Sequence, residues 1–143
     1  MSFVLDSSVT LTWCFEDEAT PAADAVLTRL TDHGAHAPSL WPLEILNALT
    51  MARRRGRITA QLQRERITFL HALPVALDAQ TAAQAWSVTH QLAERHRLTL
   101  YDASYLELAQ RLDLPLATLD ADLRNAASAL GVPLLGVPED AAS

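Results

Sequence analysis

The chain of 143 residues contains no lysine; all 11 of its basic residues are arginine. That absence removes Schiff-base catalysis and the phosphate-gripping lysine of P-loop proteins. There is one cysteine, Cys14, so disulfides and zinc-ribbon sites are excluded. Within LTWCF (residues 11–15) its thiol reads as a small buried hydrophobe rather than a nucleophile. No apolar run reaches the roughly 18 residues of a membrane span. The amino terminus opens on a strand pattern without a basic segment or a small-residue cleavage site, so we expect no signal peptide and a cytoplasmic location. Positive charge is in the minority: a net charge of -6 argues against nonspecific coating of nucleic acid, while leaving room for a local arginine patch that grips phosphates.

What is present fits one globular domain over residues 1–143. Half of the residues are hydrophobic and a fifth are charged, enough apolar material for a core without staples. Residues 3–5 read as a strand ended by Asp6, followed by a helical turn. Thr20 caps a helix with Pro21 at its first position and Gly34 at its end. Ser39 is expected to cap a helix from about residue 40 to residue 55, and Thr59 a further helix that Pro74 ends. Residues 75–78 read as a strand. Residues 81–95 then read as one helix with Ala82, Ala85, Trp86, Thr89, Leu92 and Ala93 on one side. His90 and His96 read as surface residues, lacking partners at metal-site spacing. A helix beginning near Asp102, a strand over residues 116–119, a short helix to Gly131 and a last strand over residues 132–137 complete the chain, with a frayed tail from residue 138. Short apolar strands alternating with helices predict an α/β fold: a mostly parallel central sheet flanked by helices in three layers.

Four acids in apolar settings define the candidate site. Asp6 and Asp120 directly follow strands, where ligands gather in open parallel sheets. Asp102 sits in the first turn of its helix, where a plain N-terminal carboxylate is the ordinary explanation for one such residue but not for four. Positions three, four and seven beyond Glu44 are Asn47, Ala48 and Met51, so this acid points along a small or apolar face, which is costly for a charge unless it is paired, protonated or bound to metal. Carboxylates converging on one crevice repel one another unless a cation neutralises them. With oxygen ligands alone the expected ion is hard, Mg²⁺ or Mn²⁺, able to activate water for attack on a phosphoryl group.

The motifs VLDSS (4–8), PLEILNAL (42–49), LYDASYLELA (100–109) and ATLDADL (117–123) resemble those of the PIN-domain ribonucleases, in particular the VapC toxins of toxin–antitoxin pairs, in the family's order and over essentially the whole chain. The resemblance implies a PIN-like (Rossmann-like) fold and an acidic quartet of Asp6, Glu44, Asp102 and Asp120, with Asp6 and Asp102 as the direct Mg²⁺ or Mn²⁺ ligands and Asn47 and Thr118 as supporting polar residues. It further implies metal-dependent RNA cleavage leaving a 5′-phosphate and a 3′-hydroxyl, a homodimer, and a VapB-type antitoxin whose C-terminal segment inhibits from a groove near the site. Asp122, a fifth acid, reads as a helix cap in preference to a ligand. The cluster Arg53, Arg54, Arg55 and Arg57 is either a solvated helix end or a contact for RNA or antitoxin. A receiver module is excluded because Ser7 follows Asp6 and lysine is absent, and a haloacid-dehalogenase-like phosphatase because Ser8 stands where it needs an aspartate. A PIN-like scaffold that binds antitoxin or RNA without cutting is the alternative.

Overall fold

A computed structural model describes residues 1–142. Strands β1 (Val4–Leu5), β2 (Ala35–Ala37), β3 (Val75–Leu77), β4 (Leu116–Ala117) and β5 (Leu134–Leu135) form one sheet in the order β3-β2-β1-β4-β5. Every adjacent pair is parallel, so the expected mostly parallel sheet is parallel throughout. The crossovers that parallel strands require are helical: α1 (Ser7–Thr12), α2 (Pro21–His33), α3 (Trp41–Arg54), α4 (Ala60–His71), α5 (Thr81–Gln84), α6 (Val88–His96), α7 (Leu100–Leu112) and α8 (Ala121–Ala129). Val4 and Leu5 on the central strand and Phe3 just before it are fully buried, contributing about 2 kcal/mol each by removal of their side chains from water.

The chain steps outward from β1 through β2 to β3 and then returns to the other side of β1 to make β4. That reversal places the topological switch point between β1 and β4, where the carboxyl ends of neighbouring strands open a crevice. Helices returning antiparallel to the strands begin at this same edge. The starts of α3, α7 and α8, and the residues leaving β1 and β4, are thereby gathered at one end of the sheet.

Helix α7 is the most enclosed, buried continuously from Ala103 to Ala109. Thr99 caps it by accepting the Asp102 N–H at 3.1 Å. At its far end Arg111 forks onto two acids, Glu107 at 2.7 and 2.9 Å and Asp78 at 2.7 and 3.1 Å, whose side chains are 4% and 11% exposed. Burial pushes the Asp78 carboxyl up, but the Arg111 guanidinium, the Gln80 N–H and the Thr81 hydroxyl together hold the group below its ordinary value. Arg111→Met is expected to leave two enclosed carboxylates unpaired and to lower stability by about 3 kcal/mol or more. Chemical denaturation checks this, and a loss below about 1 kcal/mol, the range of exposed pairs, would contradict it.

Several sequence expectations are corrected. The helix expected over residues 81–95 is broken: Ser87 lies at φ -133°, ψ -97° between α5 and α6. Thr81 is pinned by donating to Asp78 and accepting the Ser39 N–H, whereas α6 follows α7 with Thr89, Leu92 and Ala93 buried. One straight helix cannot satisfy both, and Trp86 at the break is 90% exposed. Ser39 does not cap α3; Leu40 holds that position without a side-chain bond. His96 is not simply a surface residue, since its Nε2 is buried with no hydrogen-bond partner among the described residues. The tail is not frayed through Asp140: Pro138–Ala142 form a 3₁₀ turn that Asp140 ties down by accepting from Arg124 at 2.7 and 2.8 Å. Ser143 lies outside the described residues.

Candidate active site

Asp6 occupies the cap position of α1 in extended conformation but makes no side-chain capping bond. Its carboxylate turns toward β4, where Oδ2 accepts hydrogen bonds from the hydroxyls of Ser8 and Thr118, both at 2.7 Å. Each hydroxyl also accepts a backbone N–H, Ser8 from Leu119 at 2.9 Å and Thr118 from Asp120 at 3.1 Å. Because a hydroxyl has one proton to give, this arrangement commits both protons to Asp6 Oδ2. Oδ1 has a long contact, 3.4 Å, from the Ser7 hydroxyl, and the Ser7 N–H also faces the carboxylate. The residue is 3% exposed. Burial pushes its pKa up, the Ser8 and Thr118 bonds pull it down, and repulsion from Asp120 adds to the rise, which prevails.

Glu44 lies in the first turn of α3 and accepts the phenolic hydrogen of Tyr105 on Oε1. Its pKa is raised by burial, against the Tyr105 bond and with repulsion from Asp6 and Asp102. Asp102, at the start of α7, is pushed up to about 6 by burial first, then by Asp6 and Asp120. Asp120 caps α8, its Oδ2 accepting the Leu123 N–H at 2.9 Å. Asp122 is therefore not the cap; it is exposed on the first turn, and its charge adds to the upward push on Asp102.

The structure thus brings Asp6, Glu44, Asp102 and Asp120 within electrostatic reach of one another, with Thr118 fully buried beneath Asp6. Asn47 is exposed, and no hydrogen bond joins it to these acids among the described residues. Nor does the arginine cluster behave as one unit. Arg57 is committed to Asp17 and Glu18 at 2.9 and 2.7 Å and lies 3.9 Å over the Phe15 ring. Arg53 donates to Gln63, while Arg54 and Arg55 are exposed at the end of α3. Burial pushes the Cys14 thiol up to about 11, which keeps it protonated and removes it as a nucleophile. Sequence reasoning missed Ser8 and Tyr105. Ser8 had a signal, two residues past a strand-end acid; Tyr105 had one in its place three residues beyond Asp102 on the same helical face.

No arginine or histidine forms an ion pair with any of the five acids among the described residues. Nor do three His, Cys, Asp or Glu side chains among those residues stand close enough to cage an ion alone. An oxygen-only wall with a mostly free Asp6 Oδ1 fits a hard cation that keeps several waters and takes one or two carboxylates directly, the habit of Mg²⁺, better than it fits an all-protein cage. The donor set is accordingly compatible with Mg²⁺ or Mn²⁺.

A parallel α/β sheet with an acidic crevice at its switch point is a class of architecture rather than a family. The PIN domain profile narrows it, matching residues 3–129, and the chain belongs to the PIN-domain family. It is 33% identical over 118 residues to Ribonuclease VapC1 of Mycobacterium tuberculosis, covering 80% of this chain and 84% of that protein. To Ribonuclease VapC3 of Pyrobaculum aerophilum it is 27% identical over 133 residues, covering 93% and 100%. The crystal structure of PAE2754 from Pyrobaculum aerophilum shares the fold at a TM-score of 0.65 and 24% identity, over 88% of this chain and 87% of the other.

Proposed function

We propose that this protein is an endoribonuclease toxin. Dependent on Mg²⁺ or Mn²⁺, it hydrolyses RNA to leave a 5′-phosphate and a 3′-hydroxyl, and a VapB-type antitoxin neutralises it. The observation that carries this reading is the uncompensated acidic cluster around Asp6. A buried Asp6 and half-buried Glu44, Asp102 and Asp120 that repel one another, with no cationic side chain paired to them among the described residues, oppose folding and are explained by a site that takes up a cation. The names of the VapC relatives support RNA as the substrate.

In this reading Asp6 and Asp102 would hold the ion, and Glu44 and Asp120 would extend the acidic wall. When bound, the ion supplies an acidified water and offsets charge building on the phosphoryl group. Ser8 and Thr118 keep Asp6 in one rotamer by occupying Oδ2, while Glu44 offers an oxygen to the attacking water's proton. Arg54 and Arg55 stand about 15 Å along α3 from Glu44, placed to meet a phosphate of bound RNA or an antitoxin carboxylate. A groove of about 340 Å³ between α1 and α3, lined by Leu11, Phe15, Ala48, Met51 and Arg55, begins one turn from Glu44 and suits an antitoxin's C-terminal segment. Exposed Trp86 and Leu43, at 90% and 73%, are apolar surface that a second copy would cover in a homodimer. The cytoplasm is the proposed setting; among the described residues no helix is long and apolar enough to cross a membrane.

The test is incubation of purified, antitoxin-free protein with cellular RNA in Mn²⁺, in Mg²⁺ and in EDTA, with product ends captured by ligation. Discrete cuts with ligatable 5′-phosphates in metal and none in EDTA are expected. RNA left intact in both metals by verified folded protein would sink the nuclease reading.

A further inference from the structure

Tyr105 follows Asp102 by three positions on α7, so the two side chains share a helical face. Its ring is fully buried. Its O–H donates to Oε1 of Glu44, which belongs to α3, so the bond crosses between two acid-bearing helices. The Ser7 hydroxyl, 3.4 Å from Asp6 Oδ1, stands beside both Glu44 and Tyr105. A phenol has one proton to give, and this one marks a single oxygen of the Glu44 carboxylate. Packing does not require the hydroxyl, because a phenylalanine would fill the same space in the core. Glu44, partly exposed and free to rotate about three side-chain bonds, would otherwise sample several orientations at an entropic cost each time it met the substrate.

We propose that Tyr105 is a positioning residue: its hydroxyl holds Glu44 by Oε1, so that Oε2 is the oxygen Glu44 presents to the crevice, and the reaction depends on Tyr105 through Glu44. The inference rests on the nuclease reading above and deepens it. Because Tyr105 shares its helix with Asp102, this bond ties the Glu44 carboxylate on α3 to the helix that carries Asp102.

The test compares the parent, Tyr105→Phe, Glu44→Gln and the double variant. Tyr105→Phe should remain folded by circular dichroism and lose roughly ten- to a hundredfold in kcat, the range for groups that orient site carboxylates, with KM within about twofold. The double variant should be no slower than Glu44→Gln, since two residues acting as one unit do not add. A second measurement needs no activity. The chain has 2 tyrosines, so in Tyr101→Phe a ¹³Cζ-tyrosine label gives one resonance, that of Tyr105. It should move when Glu44→Gln is added, and again when Mg²⁺ is titrated into the protein that retains Glu44. The proposal is overturned by parental cleavage in Tyr105→Phe, by losses that multiply in the double variant, or by a Tyr105 resonance indifferent to Glu44→Gln. If the parent itself cuts no RNA, the nuclease reading falls, and the resonance alone decides whether Tyr105 holds Glu44.

Discussion

Asp6→Asn is expected to melt a few degrees above the metal-free parent while losing roughly a thousandfold or more in RNA cleavage. The opposite signs come from one carboxylate. Its Oδ2 receives both the Ser8 and the Thr118 protons at 2.7 Å, and an asparagine carbonyl oxygen in that place keeps both bonds. Its Oδ1, which the Ser7 hydroxyl approaches at 3.4 Å, becomes an amide nitrogen. The fold therefore keeps its hydrogen bonds and sheds a buried charge that Asp120, Glu44 and Asp102 all oppose. The site loses the carboxylate proposed to hold the ion directly, and a thousandfold corresponds to about 4 kcal/mol of transition-state stabilisation, within what a bound cation supplies. Such exchange of stability for activity is the usual consequence of concentrating charge for chemistry. Melting in EDTA and initial rates in Mn²⁺ check the two halves separately. A variant less stable than the metal-free parent would show that Asp6 is not frustrated, and cleavage within tenfold of the parent would remove it from the ion.

The two central strands were legible because β1 and β4 are short apolar runs leading to an acid, at Asp6 and at Asp120, although β4 itself ends at Ala117, and because the helices between them carry the spacing that buries one face. The acids could be picked out for the same reason: Asp6 follows β1 and Asp120 closes the apolar run that begins with β4, and Glu44 and Asp102 lie in the first turns of apolar helices. What the sequence did not disclose depends on contacts between distant residues. The Glu107–Arg111 pair is visible at four-residue spacing, but its second acid, Asp78, is 33 residues away and arrives there only because the fold brings the residue after β3 to α7. Tyr105 looks like any core aromatic until α3 brings Glu44 to its hydroxyl. Which of Asp120 and Asp122 caps α8 turns on a shift of two residues in where the helix begins. The run ending at Thr89, Leu92 and Ala93 misled for a different reason. Periodicity reports a face but not whether a neighbour covers all of it, and α7 covers the second half while leaving Trp86 in solvent.

Metal-free protein is expected to lose stability as pH rises from 5 to 7, and saturating Mg²⁺ to restore more at pH 7 than at pH 5. Asp102 has its pKa raised from 3.8 to about 6, so between those values the folded chain binds a proton that the unfolded chain has released. Stability falls with pH wherever the folded state holds more protons. The stabilisation from that proton is complete below about pH 4 and gone above about pH 6. Asp6 and Glu44 are shifted in the same direction and widen the effect. Asp78 is shifted the other way, but its own titration lies below this range. A cation competes for the deprotonated acids, so its affinity should climb as the protons leave. At a hundredfold excess over its Kd it adds about 2.7 kcal/mol, roughly 8 °C of melting temperature for a chain of this size. Asp102→Asn is the internal control: it should lessen the pH dependence, by removing the group whose proton is at stake and by relieving Glu44 of one of the charges that raise it. Thermal melts at pH 5 and pH 7, with EDTA and with Mg²⁺, read all four corners. If Mg²⁺ raises the melting temperature equally at both pH values, or raises it at neither, then protons and cation do not share these carboxylates and the acidic crevice is not the ion's site.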